Sequence, residues 1–122
     1  MFIEIDFNSD EAIYVQLKNQ IIVAIATSQI KEGDSLPSVR NMADDIGINM
    51  HTVNKAYSSL RQEGFLRIDR RRGAVVALDI DKIESMSAMK AQLRPIIAQA
   101  ICRGITKEET AEIIKELYEE LE

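Results

Sequence analysis

Residues 36–64 read LPSVRNMADDIGINMHTVNKAYSSLRQEG, and this stretch decides the fold. Ser38 stands where a helix N-cap belongs, because Val39, Met42, Ala43 and Ile46 follow at i, i+3, i+4 and i+7, the spacing of one helical face. Gly47 predicts the end of that helix after about two turns, since glycine takes the left-handed C-terminal conformation cheaply. Asn49 then predicts the cap of a second helix, in which Val53, Ala56, Tyr57 and Leu60 repeat the apolar spacing until Gly64. Two short helices joined by the tight turn Gly47-Ile48 have the spacing of a helix-turn-helix.

Downstream the apolar period changes. Phe65-Leu66-Arg67-Ile68 and Ala74-Val75-Val76-Ala77 read as short strands, and Asp69-Arg70-Arg71-Arg72-Gly73 supplies the turn between them. A hairpin placed at once after a helix-turn-helix is a wing, and its tip holds three consecutive arginines. Upstream, Ile13, Leu17, Ile21, Ala24 and Ile25 predict an amphipathic helix over 11–28, followed by a loop at Gly33, Asp34 and Pro37. Beyond the wing, residues 80–103 read as a longer helix with Ile83, Met86, Lys90, Leu93, Ile97, Ala100 and Ile101 along one side. Pro95 should kink it or divide it near Arg94, because proline removes a backbone donor. After Gly104, Thr106 with Glu109 is a capping-box signal for a last helix to about Leu121, with Ala111, Ile114, Leu117, Tyr118 and Leu121 on one stripe. The expected fold class is mainly α with a small β-hairpin wing. A winged helix-turn-helix occupies residues 1–77, and a two-helix C-terminal region occupies 78–122.

A chain of 122 residues, 46% hydrophobic and 29% charged, is long and apolar enough to bury a core, which excludes wholesale disorder. The single cysteine, Cys102, cannot close an internal disulfide and reads as a small buried hydrophobe. No Cys/His cluster offers a metal site, the opening Met1-Phe2-Ile3-Glu4 lacks the basic flank and apolar run of a signal peptide, and no apolar stretch is long enough to span a bilayer. The expected setting is the cytoplasm, with no membrane partner. The net charge of −5 argues against nucleic acid until it is divided along the chain. Residues 31–77 carry eight Lys/Arg against six acids, whereas 1–30 carry one against four and 78–122 six against ten. Only the middle third is positive.

In a helix-turn-helix the second helix enters the major groove, its N-terminal residues nearest the bases. Its apolar stripe leaves Met50, His51, Asn54, Lys55 and Ser58 on the opposite face. Asn54 can pair with adenine, Lys55 can reach phosphate or guanine, and Met50 can touch a thymine methyl. The bland alternative is a solvated polar face, but the hairpin that follows favours readout. Arg70, Arg71 and Arg72 can equally be a solvated charge run. Yet three like charges at a hairpin tip repel, and a polyanion would make them favourable, with one or two entering the minor groove. Arg40 can contact phosphate or pair with Asp44 at i+4. Leu36-Pro37-Ser38 can serve purely as a cap, or its backbone amides can meet phosphate. His51, the one histidine, has no carboxylate or thiol companion in sequence and reads as a polar contact. Met86 and Met89 read as packing, and the acidic finish Glu116, Glu119, Glu120 and Glu122 as a solvated helix face. No phosphate loop, nucleophile elbow or metal motif occurs, so an enzyme and a cofactor are not expected.

The ordered set Leu36-Pro37-Ser38-Val39-Arg40, Ile46-Gly47-Ile48-Asn49, Thr52-Val53, Ala56, Leu60 and Gly64 resembles the winged-helix signature of GntR-type bacterial transcription regulators. Ile13-Tyr14-Val15-Gln16-Leu17 and Arg72-Gly73-Ala74-Val75-Val76 extend the resemblance over roughly residues 10–77. The short two-helix remainder is similar to the YtrA-type subfamily, in which the tail mainly dimerises and targets are often membrane-transporter operons. The resemblance implies a homodimeric repressor placing two recognition helices on an inverted-repeat DNA operator. It implies DNA contacts at Arg40, at the start of the third helix (Asn49, Met50, His51, Thr52), and at the wing through Gly73, beside the helix start at Ser38 already noted. Many relatives carry Ser/Thr-Arg where this chain has Asn49-Met50, and some carry Arg where it has Asn54, so an arginine–guanine contact does not transfer here. The surplus apolar positions Ile83, Met86, Leu93, Ile97, Ile101, Ile114, Leu117 and Leu121 are the expected dimerisation surface, more than a two-helix hairpin can bury alone. Two other readings stand beside this one. One is a winged-helix protein-interaction module without DNA readout. The other is a regulator whose small tail binds a metabolite, an effector the residues do not identify.

Overall fold

In a computed structural model describing residues 1–122, seven elements follow one another. They are α1 (Ile13–Ala26), α2 (Val39–Ile46), α3 (Met50–Gln62), β1 (Leu66–Asp69), β2 (Gly73–Val76), α4 (Lys82–Cys102) and α5 (Lys107–Leu121). This is the mainly helical winged-helix class that the sequence predicts. The elements separate into two compact units, Met1–Asp79 and Ile80–Glu122.

In the first unit the apolar faces meet as their spacing requires. Leu17 and Ile21 of α1, Met42 and Ala43 of α2, Val53, Ala56, Tyr57 and Leu60 of α3, and Leu66 and Val76 of the hairpin form one buried cluster. Each large side chain fully buried there contributes about 1.5–3 kcal/mol relative to exposure. The helix starts are capped as expected: Ser38 Oγ accepts from the Asn41 amide at 3.1 Å and Asn49 Oδ1 from the His51 amide at 2.7 Å. Gly47 ends α2 in the left-handed region at φ 71°. Gly64 ends the turn after α3 at φ +89°, and here a second constraint applies. A Cβ would sit 2.7 Å from the Asp79 carbonyl oxygen, and the Asp79 amide donates to the Gly64 carbonyl at 3.0 Å. The chain leaving the wing therefore passes directly against Gly64.

The wing is an antiparallel pair with Leu66 opposite Val76, Arg67 opposite Val75, Ile68 opposite Ala74 and Asp69 opposite Gly73. The segment read from sequence as a plain loop adds to it. The Gly33 amide donates to the Val76 carbonyl, the Val76 amide to the Asp34 carbonyl and the Leu36 amide to the Ala74 carbonyl, each at 2.8 Å. A bridge between Ser35 and Val75 results, so β2 has partners on both edges. Local patterning could not show this, because the two halves of the pairing are far apart in sequence.

The opening segment is held to α1 by two glutamines one turn apart. Buried Gln16 accepts from the Asp6 amide at 2.9 Å and donates to the Asp6 and Glu11 carbonyls, both at 3.0 Å. Gln20 accepts from the Glu4 amide at 2.9 Å and donates to the Glu4 carbonyl at 2.6 Å. Side-chain amides here do the work of a neighbouring strand, which seats Ile3 and Ile5 against the core.

Two expectations for the second unit are narrowed by the structure. Pro95 does not divide the helix: it lies within α4, which runs from Lys82 to Cys102. The loss of one hydrogen bond is tolerated in a long helix whose neighbouring residues are good helix formers. Cys102 is exposed, not buried, because neither α4 nor α5 has a buried residue and there is no interior for it to occupy. The capping box at the start of α5 is complete. Glu109 Oε1 accepts from the Thr106 amide at 2.9 Å and the Glu109 amide donates to Thr106 Oγ1 at 3.1 Å. The Thr106 amide, and then its side chain, hold the Glu109 carboxyl below the usual carboxylate range.

Candidate nucleic-acid interface

The helix-turn-helix turns the polar side of α3 outward. His51, Asn54, Lys55 and Ser58 are exposed, Met50 is 44% exposed, and Thr52 is half-buried. Lys55 and the capping residue Asn49 also have intramolecular tasks. Asn49 is exposed and uses its Oδ1 for the cap, which leaves its amide nitrogen available as a donor. Lys55 Nζ stands 4.1 Å from the centroid of the Tyr14 ring on α1, a cation–π contact worth about 0.5–1 kcal/mol at an exposed site. The sequence placed Lys55 among the DNA-facing residues; in the structure it also ties α3 to α1. At the start of α2, the cap Ser38 and Arg40 are exposed. Arg40 makes no ion pair with Asp44; the ion pairs are Lys18 with Glu63 at 3.0 Å and Arg67 with Asp69 at 3.5 Å.

The wing tip is organised by one carboxylate. Asp69 Oδ1 accepts from the Arg71 amide at 2.8 Å and the Arg72 amide at 3.1 Å. These two backbone donors, the Arg71 amide first, hold its carboxyl below the usual range. Gly73 follows at φ +76°, closing the turn. The three arginines are not equivalent. Arg72 bends back, and its Nη2 donates to the Gly33 carbonyl at 2.5 Å. Arg70 and Arg71 have no acidic partner and project as the free cations of the tip.

Between α3 and the wing lies a cleft of about 400 Å³. Ser38, Asn54, Ser58, Arg61, Ile68 and Gly73 are on its walls, and no carboxylate lines it. Its floor is fixed by Tyr57, whose phenol donates to the Pro37 carbonyl at 2.8 Å. Burial pushes the Tyr57 phenol up, so it remains a protonated donor. The structure therefore brings Ser38, Asn54, Ser58 and Gly73 together in the cleft, and leaves Arg40, Met50 and His51 outside its lining. Sequence reading missed Arg61 and Ile68. The spacing 54, 58, 61 is one helical stripe and could have flagged Arg61, whereas the exposure of Ile68, 56%, follows from the wing's register.

An exposed polar helix face, a basic wing and a carboxylate-free cleft between them define a winged helix-turn-helix DNA-binding protein. Residues 11–76 match the family model of bacterial regulatory proteins, gntR family, and the chain belongs to that family. It is similar to the HTH-type transcriptional repressor YtrA of Bacillus subtilis (strain 168), 36% identical over 94% of this chain and 91% of the relative. Among solved structures it is similar to YtrA from Sulfolobus acidocaldarius, a GntR-family transcription factor, at 40% identity. That match covers 84% of this chain and 99% of the other, with a TM-score of 0.69. The chain is thus a YtrA-type GntR transcriptional regulator. The fold alone is shared with AraR(DBD) in complex with operator ORX1, at 24% identity over 63% of this chain and 99% of the other, with a TM-score of 0.54. No helix is long and apolar enough to cross a membrane.

Proposed function

We propose that the protein is a homodimeric repressor, and not an enzyme, that acts in the cytoplasm on an inverted-repeat operator. Each α3 enters a major groove, where Asn54 reads adenine, Met50 meets a thymine methyl, and Asn49, His51 and Thr52 make shorter polar contacts. Arg40, Ser38, Lys55 and Ser58 hold the backbone, and the wing brings Arg70 and Arg71 to the adjacent minor groove while Arg72 and Gly73 shape its tip. A repressor needs no chemistry beyond occupying a promoter, and a membrane-transporter operon is the target class that the subfamily favours. The observation that carries the reading is the pairing of the exposed α3 face with wing cations that no carboxylate neutralises.

Dimerisation through residues 78–122 is supported by the state of the tail. Ile83 is 84% exposed, Ile101 71% and Met86 61%, and Ile97, Ile114 and Leu117 are exposed as well, with Leu93 and Leu121 half-buried. So much uncovered apolar surface marks an association site, and a second copy of a symmetric binder is its simplest cover. Footprinting of genomic fragments retained by the protein tests the whole reading. Two protected half-sites about one helical turn apart, with a dimer in sedimentation, are expected. Retention of no fragment in preference to random sequence refutes it and leaves the protein-interaction module. A thermal shift with a cytosolic metabolite panel addresses the ligand-binding tail.

A further inference from the structure

The cleft between α3 and the wing has a property that neither element has alone. A helix in a major groove and a wing in the neighbouring minor groove must straddle the sugar–phosphate backbone that separates those grooves. On the reading of α3 and the wing given above, that strand runs through this cleft. Asn54, Ser58 and Arg61 lie on one stripe of α3, so Arg61 stands about 10 Å farther along the helix than the base-facing Asn54. That displacement carries it away from the base-facing end, toward the rim of the groove. Its charge is uncommitted. Glu63, the acid nearest in sequence, pairs with Lys18 at 3.0 Å and accepts from the Ser59 hydroxyl at 2.9 Å, which leaves Arg61 without a carboxylate. Across the cleft, exposed Ile68 offers an apolar surface of the kind a deoxyribose covers.

We propose that the cleft between α3 and the wing is a seat for one backbone phosphodiester, in which Arg61 grips the phosphate, Ser58 adds a second donor and Ile68 packs on the sugar. This anchor is independent of sequence: it sets the depth and tilt of α3 while Asn54 and its neighbours discriminate. A guanidinium suits the task because its fork of donors matches two phosphate oxygens at once.

The test uses the full-length protein, a random-sequence duplex pool and the duplex that the unaltered protein selects from it. Arg61→Ala, with its thermal melt measured alongside, is expected to weaken both by a similar factor of about tenfold and to lower the slope of log affinity against log salt by about one. Arg61→Lys, which keeps the charge, should restore the slope. Scanning the selected duplex with single methylphosphonates locates the partner. At one position, neutralising the phosphate and removing Arg61 together should weaken binding no more than either change alone. Unchanged affinity and slope in Arg61→Ala, or the lack of any such position, overturns the anchor and leaves the DNA-binding reading standing. A loss confined to the selected duplex with the slope unchanged also overturns it, by making Arg61 a base reader. If the unaltered protein selects no duplex, the reading on which the anchor rests fails, and the anchor with it.

Discussion

Helices α3 and α5 are built to one plan and meet different fates. Each spans about four turns, each starts at a side-chain cap, and each carries an apolar stripe at helical spacing. In α3 the stripe Val53, Ala56, Tyr57 and Leu60 is buried against α1, α2 and the hairpin. In α5 the stripe Ile114, Leu117 and Tyr118 is 45–58% exposed. The same holds for the units that contain them. All the fully buried hydrophobic side chains belong to the first, and the second has none. Amphipathic patterning makes a face; whether the chain itself supplies the cover is a separate matter. The first unit covers its own apolar faces, and the second leaves its apolar face uncovered.

The sharpest way to break this contrast is to charge the uncovered face. Leu117→Glu combined with Ile97→Glu should convert the proposed dimer to a monomer at micromolar concentration, because each charge would be buried against apolar surface. The first unit should keep its fold, as read by the chemical shifts of its core methyls. A dimer that survives, or a first unit that unfolds, ends the contrast. Next in size is the pair Arg70→Ala with Arg71→Ala. Removal of the two unpartnered cations should weaken duplex binding by one to two orders of magnitude and reduce the salt slope by about two. Adding Arg72→Ala should also loosen the wing, since that side chain is bonded to Gly33. Amide exchange of the hairpin checks this.

Within the first unit, Gly64→Ala should destabilise by about 2 kcal/mol or more, because a left-handed residue acquires a Cβ against the Asp79 carbonyl. In thermal unfolding that is a fall of roughly 10 °C. Acid acts more gently. Asp69 and Glu109 both have carboxyls held below their unfolded values. Their contribution is therefore complete above the ordinary carboxylate range near pH 4, and it fades only as pH falls through the lower folded values. Stability should be flat on their account from pH 8 to about pH 5. Lower still, as pH falls through those folded values, the Arg71 and Arg72 amides of the wing and the first turn of α5 should lose exchange protection. Smallest is Lys55→Met, which removes the cation over Tyr14 and should cost about 0.5–1 kcal/mol. A salt slope that also falls by about one would show that Lys55 leaves the ring for phosphate on binding.

Much of this was legible in the linear pattern. The caps at Ser38, Asn49 and Thr106, the stop at Gly47 and the turn at Asp69–Gly73 are local signals, and each appears where its chemistry requires. What sequence reading missed depends on distant partners. It took Gly33–Leu36 as a loop because nothing local shows that β2 needs a second edge. It grouped Arg70, Arg71 and Arg72 as one charge run, although one of them is spent on Gly33. Sequence alone leaves Arg40 either to contact phosphate or to pair with Asp44, and only the geometry shows that the Asp44 pair does not form. It placed Cys102 in an interior that the second unit does not have.

Capping, apolar period and turn chemistry act over a few residues and are written in consecutive positions, so the elements, their order and the family can be read from the chain alone. Which charges remain free and which apolar faces stay uncovered emerges only on folding. Both depend on what the folded chain brings within a few ångströms, and no short window of sequence holds that information.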